Sequence, residues 1–169
     1  MERQEIKMKI AVLYYSQTGN TKRMAEEIIC GMNKVEGVQA KAFSIDDADK
    51  AWIDESAGIV VGSPTYAGNL AGVVKVWLES AAGNYDLSGK LAGAFATENY
   101  VHGGADLGML TILQHLIFAG MMAYSSGCAK GDPVIHLGPV ALGGSLDDFR
   151  ETFRIYGERF AAQTKKVFG

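Results

Sequence analysis

The chain alternates apolar runs of strand length with longer stretches of helical periodicity, and this alternation constrains its fold more than any other feature. Met8–Tyr15 is an aliphatic and aromatic run with no internal alternation, which is typical of a strand covered on both faces. In Gly19–Val35 the apolar residues recur at helical spacing. Because the same alternation continues along the chain, it predicts a parallel sheet with right-handed crossovers and helices on both faces.

The other elements follow from the same two patterns. Further strands are predicted at Val38–Phe43, Ile59–Val61, Leu91–Thr97 and Met121–Ser125, with Val134–Leu137 as a candidate continuation of the last. The third strand is expected to end at residues 62–64, since proline cannot continue a ladder. Further helices are predicted at Leu70–Ala82, Leu107–Ala119 and Asp147–Phe168, and Asp46–Glu55 is an acidic connection or a short helix. We therefore predict a doubly wound, five-stranded α/β sheet.

Composition narrows the class of protein. A chain of 169 residues with 48% hydrophobic side chains and no linker predicts one domain over residues 1–169, with residues 1–7 as a candidate N-terminal extension. A net charge of −3 argues against a nucleic-acid binder and a polybasic membrane module. Cys30 and Cys128 have no metal-ligand spacing, so we expect no metal site. Their interpretation as reduced thiols favours a cytoplasmic protein.

Ligands of doubly wound sheets bind beyond the carboxyl ends of the strands. The first such segment consists of Ser16, Gln17, Thr18, Gly19, Asn20 and Thr21. Free N–H groups and the positive end of the following helix favour an anion there. The segment contains no lysine, so neutral donors would hold a phosphate. A well-capped helix is the alternative, because these residue types are favoured at N-caps, although several of them around one glycine favour the phosphate.

Two further segments follow the third and fourth predicted strands. The second segment consists of Pro64, Thr65, Tyr66, Ala67, Gly68 and Asn69, and it suits a planar polar ring that Tyr66 covers. An ordinary turn with Asn69 as N-cap is the alternative. The third segment contains Thr97, Glu98, Asn99, Tyr100, His102, Gly103 and Gly104. Tyr100 and His102 are its candidate catalytic residues, by stacking and by proton donation, against the alternative of a mobile surface loop. Glu98 is expected in an exposed position, with a place near the ring as the alternative.

Residues 12–28, VLYYSQTGNTKRMAEEI, resemble the FMN-phosphate signature of the flavodoxins. This resemblance implies FMN as the cofactor and a flavodoxin-like sheet of strand order 2-1-3-4-5. Residues 63–70, SPTYAGNL, resemble the corresponding loop of flavodoxin-fold NAD(P)H:quinone oxidoreductases of the tryptophan-repressor-binding-protein type. The similarity extends from Lys9 to about Lys166.

Three departures separate the chain from those reductases. The connection between the second and third strands is short where they have a long insertion, Phe118-Ala119 stands where they have a histidine pair, and Ala67 stands where they have phenylalanine. The resemblance implies an FMN oxidoreductase that takes electrons from NAD(P)H and passes them to a quinone or similar acceptor, and it makes a homo-oligomer plausible. The alternatives are a flavodoxin-type electron carrier between partner proteins and a module that binds another phosphate or none.

Overall fold

A central parallel sheet organises residues 7–169, which are the residues that the computed structural model describes. Its strands are β1 (Met8–Tyr14), β2 (Val38–Ser44), β3 (Gly58–Tyr66), β4 (Asn69–Leu70), β5 (Leu91–Glu98), β6 (Met122–Ala123) and β7 (Val140–Leu142). The order is β2-β1-β3-β5-β6, which confirms the predicted order of the main strands. β7 also pairs with β5, and the short β4 pairs antiparallel with β3. Most of the candidate extension, residues 1–6, lies outside the described residues.

The helices agree with the predicted ones to within a few residues. They are α1 (Asn20–Met32), α2 (Lys50–Glu55), α3 (Gly72–Asn84), α4 (Ala105–Phe118) and α5 (Leu146–Phe168). The acidic stretch before β3 contains both alternatives, a 3₁₀ turn over Ile45–Asp47 and the short helix α2. Asp49 caps α2, since its Oδ1 accepts a hydrogen bond of 3.0 Å from the backbone N–H of Trp52.

Two strand predictions need correction. Val134–Leu137 does not resume the last strand, because only an isolated antiparallel bridge joins Gly127 to Ile135 there. β7 lies further along the chain, where it pairs in parallel with the end of β5. The third strand also continues past Pro64. Its pairing with β1 ends at Gly62, so the ladder on that side needs no N–H from the proline.

Each face of the sheet carries its own layer of helices. One buried cluster joins β1 and β3 to α1 and α5 and includes Met24, Phe153 and Phe160. The cluster on the other face includes Trp52 from α2, Val74 and Leu78 from α3, and Ile112 and Leu116 from α4. The sheet and the helices on its two faces therefore form three layers. Because helices cover both faces of the sheet, a ligand can reach the sheet at the ends of its strands. No helix among residues 7–169 is long and apolar enough to span a bilayer.

Candidate functional site

A cleft of about 170 Å³ opens at the carboxyl edge of the sheet. Its lining comes from all three predicted segments: Gln17, Thr18, Asn20, Thr21, Pro64, Thr65, Tyr66, Thr97, Glu98 and Asn99. Every lining residue belongs to the predicted set. Nine predicted residues do not line the cleft, namely Ser16, Gly19, Ala67, Gly68, Asn69, Tyr100, His102, Gly103 and Gly104. The parallel strands β1, β3 and β5 are neighbours, and their carboxyl ends therefore bring the segments together.

The amino end of α1 has no side-chain cap. Gly19 is the N-cap residue, with a φ of +94°, and no side chain accepts a hydrogen bond from the first turn of the helix. A Cβ atom at Gly19 would meet nothing within 4 Å, so glycine is required by the backbone conformation rather than by space. The hydroxyl of Ser16 accepts a hydrogen bond of 3.1 Å from the N–H of Gly19. The free amides of the first turn are thus left for an anion, and the alternative of a side-chain-capped helix is wrong.

The charges around the first segment agree with a site made of neutral donors. Arg23 forms an exposed ion pair with Asp147 at the start of α5, and it does not line the cleft. Lys22 is exposed, as expected for a solvated helix face. Glu98 is the single carboxylate among the lining residues. Within residues 7–169 no group of three or more His, Cys, Asp and Glu side chains could hold a metal ion.

Two hydrogen bonds between side chains connect the segments. The hydroxyls of Thr21 and Thr97 lie 2.8 Å apart in a buried position and tie the start of α1 to the end of β5. The hydroxyl of Tyr66 donates to Oε1 of Gln17 at 3.3 Å, which joins the second segment to the first. Burial, and secondarily the neighbouring Tyr15, raises the pKa of the Tyr66 phenol. The phenol therefore stays protonated at physiological pH and keeps the proton that it donates to Gln17.

The second segment is a tight hairpin between β3 and β4. Ala67 and Gly68 both have positive φ, +50° and +80°, as a two-residue type I′ turn requires. The predicted alternative for Asn69, an N-cap, is wrong, because Ala71 is the N-cap residue of α3. Oδ1 of Asn69 instead accepts from the N–H of Leu70 at 2.8 Å. The hairpin thereby raises Tyr66 to the rim of the cleft, where 42% of the residue is exposed.

Glu98 occupies a different place from the one expected. It is half-buried in the cleft rather than exposed, and its Oε2 accepts a 3.2 Å hydrogen bond from the N–H of Ala105, the first residue of α4. A carboxylate at this position is stabilised by the helix dipole. The residue before Ala105, Gly104, has a φ of +107°, and a Cβ atom there would lie 2.2 Å from the carbonyl oxygen of Gly68. The second and third segments therefore touch through their backbones.

The two candidate catalytic residues lie outside the cleft lining. Tyr100 is 77% exposed at the tip of the third segment, where its carbonyl accepts from the N–H of Gly103 at 2.9 Å. His102 has a φ of +63° and borders a separate cavity of about 430 Å³ that also touches Glu98 and Val140. His102 thus shares Glu98 as a neighbour with the cleft, and Tyr100 lines neither cavity.

The loop after β7 supports the cleft, although its residues are not among the predicted site residues. The N–H of Gly143 donates to the carbonyl of Glu98 at 2.8 Å. A Cβ atom at Gly143 would lie 2.6 Å from Oδ1 of Asn99 and 3.0 Å from Nδ2 of Asn20. Glycine at this position thus lets two lining amides approach each other. The pair Gly143-Gly144 at the end of an apolar run was the available signal.

The model of the family described as "Flavodoxin" matches residues 12–103, which include all but the last residue of the three segments. The chain belongs to the flavodoxin family. A flavodoxin from Clostridium saccharobutylicum is 41% identical over 161 residues and aligns with 95% of this chain and 100% of its own length. The family match therefore covers the cleft, and the similarity to that flavodoxin extends over nearly the whole chain.

Two other proteins extend the comparison. An "NAD(P)H dehydrogenase (quinone)" from Geobacter sulfurreducens is 30% identical over 142 residues, which are 68% of this chain and 70% of that protein. The structure of a Fusobacterium nucleatum flavodoxin bound to flavin mononucleotide has a TM-score of 0.68 and 16% identity, covering 95% of this chain and 99% of that one. The latter likeness concerns the flavodoxin fold, with its parallel sheet between two layers of helices.

Proposed function

We propose that the chain binds FMN in the cleft and carries electrons between partner proteins. FMN is the cofactor of flavodoxins, and family membership assigns it to this chain. The observation that carries the proposal is the meeting of all three segments around one cleft that begins at the uncapped end of α1. FMN supplies the redox chemistry, and the protein contributes binding, orientation and electrostatics.

The residues of the cleft fit the two halves of FMN. The first-turn amides of α1 and the side chains of Thr18 and Asn20 are neutral donors for the phosphate. Tyr66 and Pro64 offer flat apolar surface for the ring, and the polar edge of the ring requires the kind of backbone and amide groups found at Asn99. These assignments account for the residue types on both sides of the cleft.

Glu98 and the exposed rim bear on electron transfer. The carboxylate of Glu98 disfavours additional negative charge in the cleft, and it therefore makes a bound cofactor harder to reduce. Tyr100 and Val101 are large side chains that stand exposed beside the cleft, which suits contact with a macromolecular partner better than enclosure of a small substrate. The partners of an electron carrier are redox proteins. The cytoplasmic location of this chain stays a prediction.

The second candidate is an NAD(P)H-dependent oxidoreductase that passes electrons to a quinone or similar acceptor. The 30% identity to the Geobacter enzyme favours it, as does the second segment. Against it, the connection from β2 to β3 contains only a 3₁₀ turn and the six-residue α2, which leaves no insertion to build a nicotinamide pocket. The carrier is the better supported of the two.

One experiment separates the two functions. The protein is loaded with FMN, made anaerobic and mixed with NADH or NADPH while the absorbance of oxidised flavin is recorded. A carrier keeps that absorbance, and a chemical reductant then removes it in two resolved one-electron steps. Rapid bleaching by NAD(P)H alone overturns the carrier and supports the oxidoreductase. If the protein takes up no FMN, both functions fail together. A Thr18→Glu variant is the control for flavin outside the cleft.

A further inference from the structure

Two buried hydroxyls meet where the first and third segments join. Oγ1 of Thr21 lies 2.8 Å from Oγ1 of Thr97, and the two residues are only 1% and 4% exposed. Either oxygen can be the donor of this hydrogen bond, because a hydroxyl carries a proton as well as lone pairs. Whichever threonine donates, the accepting hydroxyl keeps its own proton. That remaining proton is available to a ligand.

Thr21 lies among the groups that face an anion. It is the second residue of α1, and both Thr21 and Thr97 line the cleft. The N–H of Arg23 donates to the carbonyl of Gly19 at 3.0 Å and begins the helical ladder, so the N–H groups of residues 20–22 have no partner within the helix. Within residues 7–169 the Thr21 side chain makes its one hydrogen bond with Thr97. Its hydroxyl is therefore a further donor beside the free amides.

An anion decides the direction of the hydrogen bond between the two threonines. A phosphate dianion offers only acceptor oxygens, so a hydroxyl beside it must turn its proton towards the anion. Once Thr21 does so, its oxygen can only accept from Thr97, and Thr97 becomes the donor of the pair. Hydrogen bonds in a chain polarise one another, and burial from water strengthens them. Donation by Thr97 therefore strengthens the bond that Thr21 gives to the phosphate.

We propose that Thr97 is a positioning residue for the phosphate of FMN, because its hydroxyl donates to Thr21 and thereby directs the Thr21 proton to the phosphate. The inference rests on the proposed binding of FMN and assigns part of the phosphate recognition to β5, the strand that contains Thr97. The competing explanation is structural. The same hydrogen bond ties α1 to β5, and in that case its loss weakens the binding of every flavin equally.

The test compares FMN with riboflavin, which has the same ring and side chain without the phosphate. Flavin fluorescence titrations give the dissociation constant of each ligand for the wild-type protein and its variants. Thr97→Val removes the hydroxyl and keeps a β-branched side chain, and it should weaken FMN binding about tenfold and riboflavin binding less than about twofold. Thr97→Ser keeps the hydroxyl and should bind FMN within about threefold of wild type.

Thr164→Val is the matched control for the loss of a buried threonine hydroxyl. Thr164 is fully buried in α5, and its hydroxyl donates to the carbonyl of Phe160 at 2.8 Å. Removal of that hydroxyl should lower the stability of the protein and leave the ratio of the FMN and riboflavin dissociation constants unchanged.

A double-mutant cycle shows whether Thr97 acts through Thr21. Thr21→Val should itself weaken FMN binding. Addition of Thr97→Val to that variant should weaken FMN binding by less than about twofold more, because the proton that Thr97 directs is already gone. Losses that add in full overturn the proposal, since Thr97 would then act independently of Thr21.

The outcomes separate this inference from the proposed function. If Thr97→Val leaves the ratio of the two dissociation constants unchanged, the inference fails and FMN binding stands, and an equal loss for both flavins identifies Thr97 as a structural link. A wild-type protein that binds riboflavin as tightly as FMN overturns the phosphate recognition. A wild-type protein that binds neither flavin overturns the proposed function as well. Circular dichroism of the cofactor-free variants checks their folding, and Thr97→Ala replaces Thr97→Val under the same criteria if the latter unfolds.

Discussion

Gly104→Ala should both destabilise the protein and weaken cofactor binding. At Gly104 the φ of +107° lies in a region that L-residues avoid, which costs about 1–2 kcal/mol. The new Cβ atom would also lie 2.2 Å from the carbonyl oxygen of Gly68, so the backbone of one segment must move. Overpacking of this kind costs about 1–3 kcal/mol. The free energy of unfolding should therefore fall by about 2–5 kcal/mol.

The assay is thermal unfolding of the cofactor-free protein, followed by titration with FMN. For a chain of this size, about 2–4 °C of Tm is lost per kcal/mol, so Tm should fall by roughly 4–20 °C. FMN affinity should fall as well, because the contact between Gly104 and Gly68 sets the distance between the second and third segments. Gly83→Ala is the matched control, since a Cβ atom there meets nothing within 4 Å and alanine favours the helix. A Gly104→Ala protein with the Tm and affinity of wild type would refute the backbone contact.

Three further predictions concern other parts of the molecule. Thr18→Glu should lower FMN affinity about 100-fold in a fluorescence titration, because a carboxylate about 6 Å from a phosphate dianion repels it by roughly 3 kcal/mol at an effective dielectric constant of about 40. Thr18→Gln should bind within about tenfold of wild type, and an affinity of the Glu variant equal to that of the Gln variant would contradict the site. Glu27→Gln should cost about 1–2 kcal/mol in urea unfolding, because the buried carboxylate accepts from two partly exposed arginines, Nε of Arg150 at 2.7 Å and Nε of Arg154 at 2.5 Å. Glu26→Gln is the control, because Glu26 is exposed. An equal loss of unfolding free energy in that variant would exclude the arginine contacts of Glu27 as the cause. Tyr156→Phe should keep or raise stability by up to about 1 kcal/mol, because the buried hydroxyl has no hydrogen bond of ordinary geometry within residues 7–169. Burial raises the pKa of the phenol, and the nearby backbone of Ala94 offsets only part of that rise. A loss of more than about 1 kcal/mol would contradict this prediction.

The fold was predictable because strong periodicity marks each large element. The 23-residue α5 repeats apolar residues at helical spacing, and Phe153, Tyr156 and Phe160 from that repeat are fully buried. The weak elements were not predictable. β6 and β7 contain two and three residues, too few to show a period, and their position follows from pairing with the two ends of β5.

The cleft was predictable to the level of segments and not to that of side chains. Parallel strands bring their carboxyl ends to one edge, so the three segments had to meet. Which residues turn inward depends on the backbone of each loop. His102 has a positive φ and borders the neighbouring cavity, whereas Glu98 borders both that cavity and the cleft, and the first N–H of α4 binds its carboxylate.

By itself, the sequence determined the order of strands and helices, the glycine at the start of α1 and the three segments around a cofactor. Those features depend on local periodicity and backbone freedom, which neighbouring residues encode. Tertiary structure alone decided that Gly104 contacts Gly68, that Gly143 supports Asn20 and Asn99, and that the hydroxyls of Thr21 and Thr97 meet. These contacts join residues that are distant along the chain, and their geometry exists only after the sheet and its helices have packed.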